Sequence, residues 1–198
     1  MRVAKEIGSG LHKAGIEATG VTGNNSYLDK TGVTLKKAGY KIKIAFDVRG
    51  KYFDYIFYQI VGTRSSTYKY LMYIIIGNIP EIDMKKRKLL AIRNTDYDKH
   101  AFLTTNKENG KTINVKCAGD QALTQEITND YLLTEKLVKR CQSDKKIQKI
   151  FREIFIYYDP DYGYAAISHL FGSIIPTAEH FEIMNMIARH IKSAWFGR

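Results

Sequence analysis

The chain has 198 residues and a net charge of +11, because 31 lysines and arginines stand against 20 aspartates and glutamates. A hydrophobic content of 44% with three prolines argues against disorder and fits one domain with a packed core. The longest apolar run, Leu71–Ile76, is far shorter than the roughly 20 residues of a membrane-spanning helix. The charged residues Arg2, Lys5 and Glu6 come too early in the chain for the apolar core of a signal peptide. We therefore expect a soluble, cytoplasmic protein without a transmembrane segment.

The first predicted elements are a helix and two strands. Apolar residues recur at helical spacing in residues 2–14, and Gly15 is placed to cap the C-terminus of that helix. Residues 16–22 favour a short strand. Polar and apolar residues alternate in residues 41–49, which predicts a strand with one apolar and one mainly basic face. The apolar face contains Ile42, Ile44, Phe46 and Val48, and the other face contains Lys41, Lys43, Asp47 and Arg49.

Two strands that are apolar or aromatic on both sides are predicted over residues 52–61 and 68–76. Such strands are usually central in a sheet, with both faces covered, or lie at an interface. A short strand is predicted over residues 88–93. Further along, Asn-Gly at residues 109–110 lies between two β-like runs, which predicts a hairpin.

The last third of the chain is mainly helical. A helix is predicted from residue 133, and a break at Ser143 is followed by a second short helix. Two strands are predicted over residues 153–158 and 164–171, and a final helix begins at residues 176–177. Its apolar stripe consists of Phe181, Ile183, Met184, Ile187, Ile191 and Trp195.

These elements predict an α+β fold in which an antiparallel or mixed sheet packs against amphipathic helices. We expect a single globular domain over residues 1–198. The change from strands to helices near residue 130 leaves two subdomains as an alternative within it, a β-rich part over residues 1–130 and an αββα part over residues 131–198.

Catalytic chemistry has little support in the sequence, so we expect no cofactor and favour a protein that is not an enzyme. His180 lies on the apolar stripe of the last helix, which favours a hydrogen-bonded core residue; a metal or acid–base site would require it to meet His169. Cys117 is the better candidate for a reactive thiol, but no signature surrounds it, and reduced thiols are expected. Residues 159–163 start like a calcium loop but lack its later glycine and glutamate, so a turn is predicted.

Basic residues are concentrated in three segments. Residues 30–51 hold seven basic residues and one acidic residue, residues 85–93 hold five and none, and residues 133–152 hold seven and two. Clustered positive charge attracts anionic partners, and aromatic rings beside cations can stack on the bases of single-stranded nucleic acid. The residues assigned to such a nucleic-acid-binding surface are Lys41, Lys43, Arg49, Lys51, Lys85, Lys86, Arg87, Lys88, Lys139, Arg140, Lys145 and Lys149.

The sequence therefore favours a non-catalytic binding module whose basic surface holds an anionic partner, either nucleic acid or a membrane surface. The alternative is a structural domain that oligomerises, or docks to a partner protein, through the apolar region Tyr52–Ile76. The first function requires the basic segments to converge on one face with aromatic rings exposed between them. The second requires region 52–76 to face solvent. An enzyme would show a deep pocket with His169 or Cys117 at its wall.

Overall fold

The computed structural model describes residues 2–22, 40–49, 52–62, 67–76, 99–143, 154–159, 164–170 and 176–197. In these residues eight strands form one antiparallel sheet that is accompanied by four helices. The strands are β1 (Glu17–Thr22), β2 (Tyr40–Arg49), β3 (Tyr55–Gly62), β4 (Thr67–Ile76), β5 (Lys99–Glu108), β6 (Lys111–Gly119), β7 (Phe155–Asp159) and β8 (Tyr164–Leu170). The helices are α1 (Arg2–Lys13), α2 (Gln121–Asn129), α3 (Tyr131–Ser143) and α4 (Ala178–Phe196). This architecture confirms the predicted α+β fold and shows the antiparallel form of the sheet.

The strands lie side by side in the order β1-β2-β3-β4-β8-β7-β5-β6. Strands β3 and β4 are therefore central, and both of their faces are buried: Leu71 and Tyr73 on one face, Phe57 and Met72 on the other. Of the two predicted placements, central in a sheet or at an interface, the structure shows the central one. Because β4 pairs with β8, both halves of the chain contribute to the same sheet.

The helices pack against one face of the sheet, which we call the helix face. Each helix is amphipathic and buries one side: Ile7 and Leu11 in α1, and Leu123 and Ile127 in α2. Removing these apolar side chains from water stabilises the fold by about 25 cal/mol per Å². The buried residues of α3 are Leu133, Leu137 and Cys141, and those of α4 include Phe181, Ile183, Met184, Ile187, Ile191 and Trp195, as predicted.

The ends of several elements follow from local sequence. Gly15 has a φ of 65°, and the Ile16 N–H donates to the Leu11 carbonyl at 2.9 Å, which is the predicted glycine-capped end of α1. Residues 109–110 have φ angles of 49° and 76°, as a two-residue hairpin turn requires, so the hairpin is confirmed. Helix α4 begins after its N-cap Thr177, where the sequence predicted its start.

Two features differ from the expectations drawn from the sequence. Residues 121–129 form α2, which the sequence analysis did not predict, and Asp120 caps its first turn. The register of β2 against β3 shifts between Ile42 and Ile44, so the strict alternation predicted for residues 41–49 is interrupted. A shift of this kind accommodates one extra residue in a strand and resets which residues share a face.

Several predicted features lie outside the described residues. They are the strand over residues 88–93, the short helix after Ser143 and most of the turn over residues 159–163. The two strands that flank this turn, β7 and β8, pair with each other in antiparallel fashion, with Asp159 opposite Tyr164.

Candidate functional site

The predicted basic residues do not all lie together. Lys41, Lys43 and Arg49 belong to β2, the second strand from one edge, whereas Lys139 and Arg140 belong to α3, which packs on β6 at the opposite edge. With neighbouring strands about 4.8 Å apart, β2 and β6 are separated by roughly 29 Å along the sheet. The residues that lie outside the described part of the chain are Lys51, Lys85, Lys86, Arg87, Lys88, Lys145 and Lys149.

Lys139 and Arg140 both contact carboxylates. Lys139 Nζ is 2.7 Å from Glu135 Oε1 in an exposed pair within α3. Arg140 Nη1 is 3.3 Å from Glu179 Oε2, and its Nη2 donates to the Thr177 hydroxyl at 3.3 Å. Through these two contacts Arg140, whose side chain is only 17% exposed, joins α3 to the start of α4. Lys139 is exposed and stays accessible to an anionic partner.

The sheet face opposite the helices is exposed at its β5–β6 end. Phe102, which is 41% exposed, lies between Ala118 of β6 and Phe155 of β7, and the nearby His100 and Lys116 are also exposed. Lys116 is a diagonal neighbour of Phe102 across the strand pair, about 7–8 Å away. The His100 ring stacks on Phe155 with a centroid distance of 6.4 Å. We call the surface formed by His100, Phe102 and Lys116 the open sheet end.

The open sheet end has a rigid support on its other side. Leu103, Val115 and Cys117 of the same two strands are buried on the helix face together with residues of α2 and α3. The Gln142 side-chain amide of α3 donates to the Thr112 carbonyl of β6 at 2.6 Å. Packing on the helix face therefore holds in place the two strands that carry Phe102 and Lys116.

The open sheet end was not among the surfaces predicted from the sequence. Lys107 and Lys111 are exposed at the tip of the same hairpin, but the lysines of β5 and β6 are spread along the strands and Glu108 lies among them. They therefore did not form a charge cluster. The alternation around Phe102 was the available signal, since its neighbours Ala101 and Leu103 are the buried positions of β5.

A second candidate lies in the core, where three polar rings meet. His180 Nε2 is 3.0 Å from Tyr73 Oη and 3.1 Å from His169 Nε2. The three side chains come from α4, β4 and β8 and are almost entirely buried. The two imidazole rings meet edge to face, with an angle of 74° between their planes. We call Tyr73, His169 and His180 the core histidine cluster.

Burial sets the protonation of this cluster. Burial lowers the pKa of His180 well below the ordinary 6.5, and nearby His169 and Arg140 lower it further. Burial also raises the pKa of Tyr73 well above the ordinary 10.0. His180 and Tyr73 are therefore neutral around neutral pH. The structure confirms that His180 is a hydrogen-bonded core residue, and it brings His169 to it, which was the stated condition for a metal or acid–base site.

A third group, the helix-junction cluster, joins α4 to the corner between α2 and α3. His190 contacts two carboxylates, with Nδ1 3.1 Å from Glu126 Oε2 and Nε2 2.8 Å from Asp130 Oδ2. Arg189 donates to the same Asp130 oxygen at 2.8 Å, and the Ser193 hydroxyl donates to Glu126 Oε1 at 3.0 Å. A cleft of 710 Å³ opens beside the cluster.

The partners in this cluster favour ionised carboxylates. Hydrogen bonds from His190 and Ser193 lower the pKa of Glu126 below the ordinary 4.5. Partial burial raises the pKa of Asp130, but hydrogen bonds from the Leu133 N–H and from His190 outweigh it, and the net shift is downward from 3.8. The carboxylates are therefore already satisfied by protein groups, and the cleft beside them offers no free charge from these two residues.

The surroundings of Cys117 do not activate its thiol as a nucleophile. Both cysteines are free and buried, and burial raises the pKa of the Cys117 thiol despite a weak hydrogen bond from Thr124. A thiol with a raised pKa is a poor nucleophile. Within the described part of the chain, no three histidine, cysteine, aspartate or glutamate side chains converge as metal ligands.

Comparison with protein-family models, with curated proteins and with solved structures found no match for this chain. No helix among the residues that the structure describes has the length and apolar character needed to cross a membrane.

Proposed function

We propose that the protein is a non-catalytic binding module that holds single-stranded nucleic acid on the open sheet end. The observation that supports this proposal is the exposed Phe102 ring beside Lys116 on one face of a helix-backed sheet. An exposed ring can stack on a base of any sequence while a lysine contacts the phosphate. The net charge of +11 attracts a polyanion over longer distances.

The spacing along β5 suits an extended strand of nucleic acid. His100 and Phe102 are two residues apart on the same face, which corresponds to about 6.8 Å along a strand. Two rings at this spacing can each accept a successive base when the nucleotides are stretched out rather than helical. Lys111 near the hairpin tip is a further exposed base on these two strands, and it lies opposite Glu108.

The basic residues predicted from the sequence have a secondary place in this proposal. The residues of β2 and those of α3 lie at opposite ends of the sheet, so they act as separate contributions to the electrostatic field. Lys139 is accessible for a peripheral phosphate contact, and Arg140 serves the joint between α3 and α4.

The first test measures the affinity of fluorescently labelled single-stranded RNA and DNA oligonucleotides by anisotropy. We expect Phe102→Ala to weaken binding about 5- to 150-fold, because stacking contributes about 1–3 kcal/mol per base. Tyr131→Ala is the matched control, since Tyr131 is also an exposed aromatic residue but belongs to α3. Equal losses in the two variants would mean that the open sheet end is not the binding surface.

The second test measures how affinity changes with salt. Lys116→Gln should reduce the slope of log affinity against log salt by about 0.7, the value for one phosphate contact on a single strand. Lys5→Gln, on the exposed side of α1, is the control and should leave the slope unchanged. No binding by the unaltered protein at about 0.15 M salt would overturn the proposal.

The same measurements separate the proposal from its competitors. Binding to vesicles that contain anionic lipid, without binding to oligonucleotides, would replace nucleic acid with a membrane surface. The assembly alternative has less support, because Phe57, Leu71 and Met72 of the region Tyr52–Ile76 are buried within the chain itself. A concentration-dependent dimer in sedimentation experiments, lost on changing the exposed Tyr52, would restore that alternative.

A further inference from the structure

One nitrogen of the core histidine cluster, His180 Nε2, contacts two polar atoms. In a neutral imidazole, each ring nitrogen has either one proton to donate or one lone pair to offer. His180 Nε2 nevertheless lies at hydrogen-bond distance from both Tyr73 Oη and His169 Nε2. A single proton or lone pair cannot make two good hydrogen bonds at once, so hydrogen bonding alone accounts poorly for this arrangement.

A metal ion bound by His180 Nε2, Tyr73 Oη and His169 Nε2 would account for both contacts of the His180 nitrogen. Zinc binds imidazole nitrogens at about 2.0–2.1 Å and oxygen ligands at a similar distance. With those bond lengths, atoms 3.0–3.1 Å apart subtend an angle of about 95–100° at the ion, close enough to tetrahedral for small adjustments to complete the site. The two imidazole rings lie edge to face with their centroids 4.9 Å apart, so both are close enough to share one ion.

We propose that Tyr73, His169 and His180 bind a divalent transition-metal ion of the zinc type. Two imidazoles and one phenolate form an N₂O donor set, and imidazole suits zinc, copper, iron and nickel. The set contains two histidines, and its third ligand is a tyrosine rather than a histidine, cysteine, aspartate or glutamate. The proposal is independent of nucleic-acid binding at the open sheet end.

Binding of the ion requires the release of one proton and changes the net charge of the cluster. Neutral histidines present lone pairs without losing protons, whereas the Tyr73 phenol must release one proton to solvent as its oxygen bonds to the ion. The bound ion and phenolate together carry one net positive charge in the core. Arg140 is the nearby cation; its charge lowers the pKa of His180, and its pairing with Glu179 offsets part of its repulsion on the ion. Metal affinity should therefore increase with pH.

The test titrates the chelator-treated full chain with Zn²⁺ and follows bound metal and thermal midpoint. We expect one ion per chain with micromolar or tighter affinity, together with a higher midpoint, because a ligand that binds only the native state stabilises it. His169→Gln and His180→Gln should each weaken binding by at least about 100-fold, the upper range for losing even an outer partner of a metal ligand. Absence of saturable binding at micromolar concentrations would overturn the proposal.

His190→Gln is the matched control, since His190 is a buried histidine of the same helix but belongs to the helix-junction cluster. Zinc binding should survive this change. Binding lost with His190→Gln but retained in His169→Gln and His180→Gln would place the metal at the helix junction and overturn the assignment. Circular dichroism of each metal-free variant checks that it folds.

Tyr73→Phe tests the oxygen ligand while keeping the ring that packs against Phe53 and Phe181. Cu²⁺ is the probe, because a phenolate bound to Cu²⁺ gives a charge-transfer absorption in the visible range. The unaltered protein should show this band and Tyr73→Phe should lose it. A band of equal intensity in both proteins would exclude Tyr73 from the site.

Discussion

The core histidine cluster and the helix-junction cluster place histidines of the same helix in opposite electrostatic surroundings. His180 meets a phenol and a second imidazole deep in the core, whereas His190 lies between two carboxylates near the surface. The first arrangement keeps His180 neutral, and the second holds Glu126 and Asp130 ionised. The comparison shows that depth of burial and the charge of the partner decide which role a histidine can take.

Among the changes considered for the two clusters, loss of the Asp130 carboxylate should lower the stability of the protein most. Asp130→Ala removes the acceptor that His190 and Arg189 contact and the side chain that caps α3 through the Leu133 N–H at 2.9 Å. We expect the free energy of unfolding in urea to fall by about 2–5 kcal/mol, since a cap contributes about 0.5–2 kcal/mol and a hydrogen bond to a charged group about 1.5–3 kcal/mol.

Asp130→Asn is the informative companion, because asparagine caps a helix as well as aspartate does. It should cost roughly half as much as Asp130→Ala. If the two variants were equally destabilised, the cap would contribute nothing, and a cost below about 1 kcal/mol for both would mean that the junction does not anchor α4.

The pH dependence of stability should separate the two clusters in metal-free protein. Below pH 6.5 the unfolded state protonates His180 and the folded state does not, because the folded pKa is lowered. Stability should therefore fall with decreasing pH below 6.5, by at most about 1.4 kcal/mol per pH unit for one proton. The carboxylates of the junction have lowered pKa values, so they contribute stability above about pH 4.5 that is lost only on further acidification.

His180→Gln should flatten the slope between pH 6.5 and 4.5 in urea unfolding followed with a chelator present. His12→Gln, on the exposed side of α1, is the control and should retain the slope. At the alkaline end, stability should fall above pH 10, because unfolded tyrosine ionises there while the buried Tyr73 does not. An unchanged acid slope in His180→Gln would show that another group controls it.

The smallest expected effect comes from the outer part of the junction. Ser193→Ala removes the hydroxyl that donates to Glu126, and we expect a cost of about 0.5–1 kcal/mol because this carboxylate is partly exposed. The pKa of Glu126 should rise toward 4.5, which an NMR titration of its carboxyl carbon would measure. Ser9→Ala, an exposed serine of α1, should leave that pKa in place.

Much of the fold was predictable because its signals are local. The Asn109-Gly110 turn, the glycine after α1 and the threonine before α4 each specify an end through one or two residues. Helix α2 was missed because it presents only Leu123 and Ile127 to the core, too few to give a clear helical period. The Asp120 cap was the remaining signal.

The candidate sites were less predictable because they depend on which strands become neighbours. His169 approaches His180 only because β8 pairs with β4, with His169 opposite Leu71. The exposure of Phe102 likewise depends on the helices occupying the other face of β5 and β6. Neither relation is encoded in the spacing of nearby residues, so charge clustering pointed to β2 and α3 while the exposed ring lies on β5.

The hairpin of β5 and β6 has a consequence for the order in which the molecule folds. Residues 99–143 contain this hairpin, its two-residue turn and the two helices that pack under it, all consecutive in the chain. The β4–β8 pairing must instead close a much longer loop, which is slower because more chain entropy is lost before contacts form. We expect pulsed hydrogen exchange to protect the β6 amides before those of β8; the reverse order would contradict this. The part of the chain that carries Phe102 and Lys116 would then take shape first, and the rest of the sheet would assemble against it.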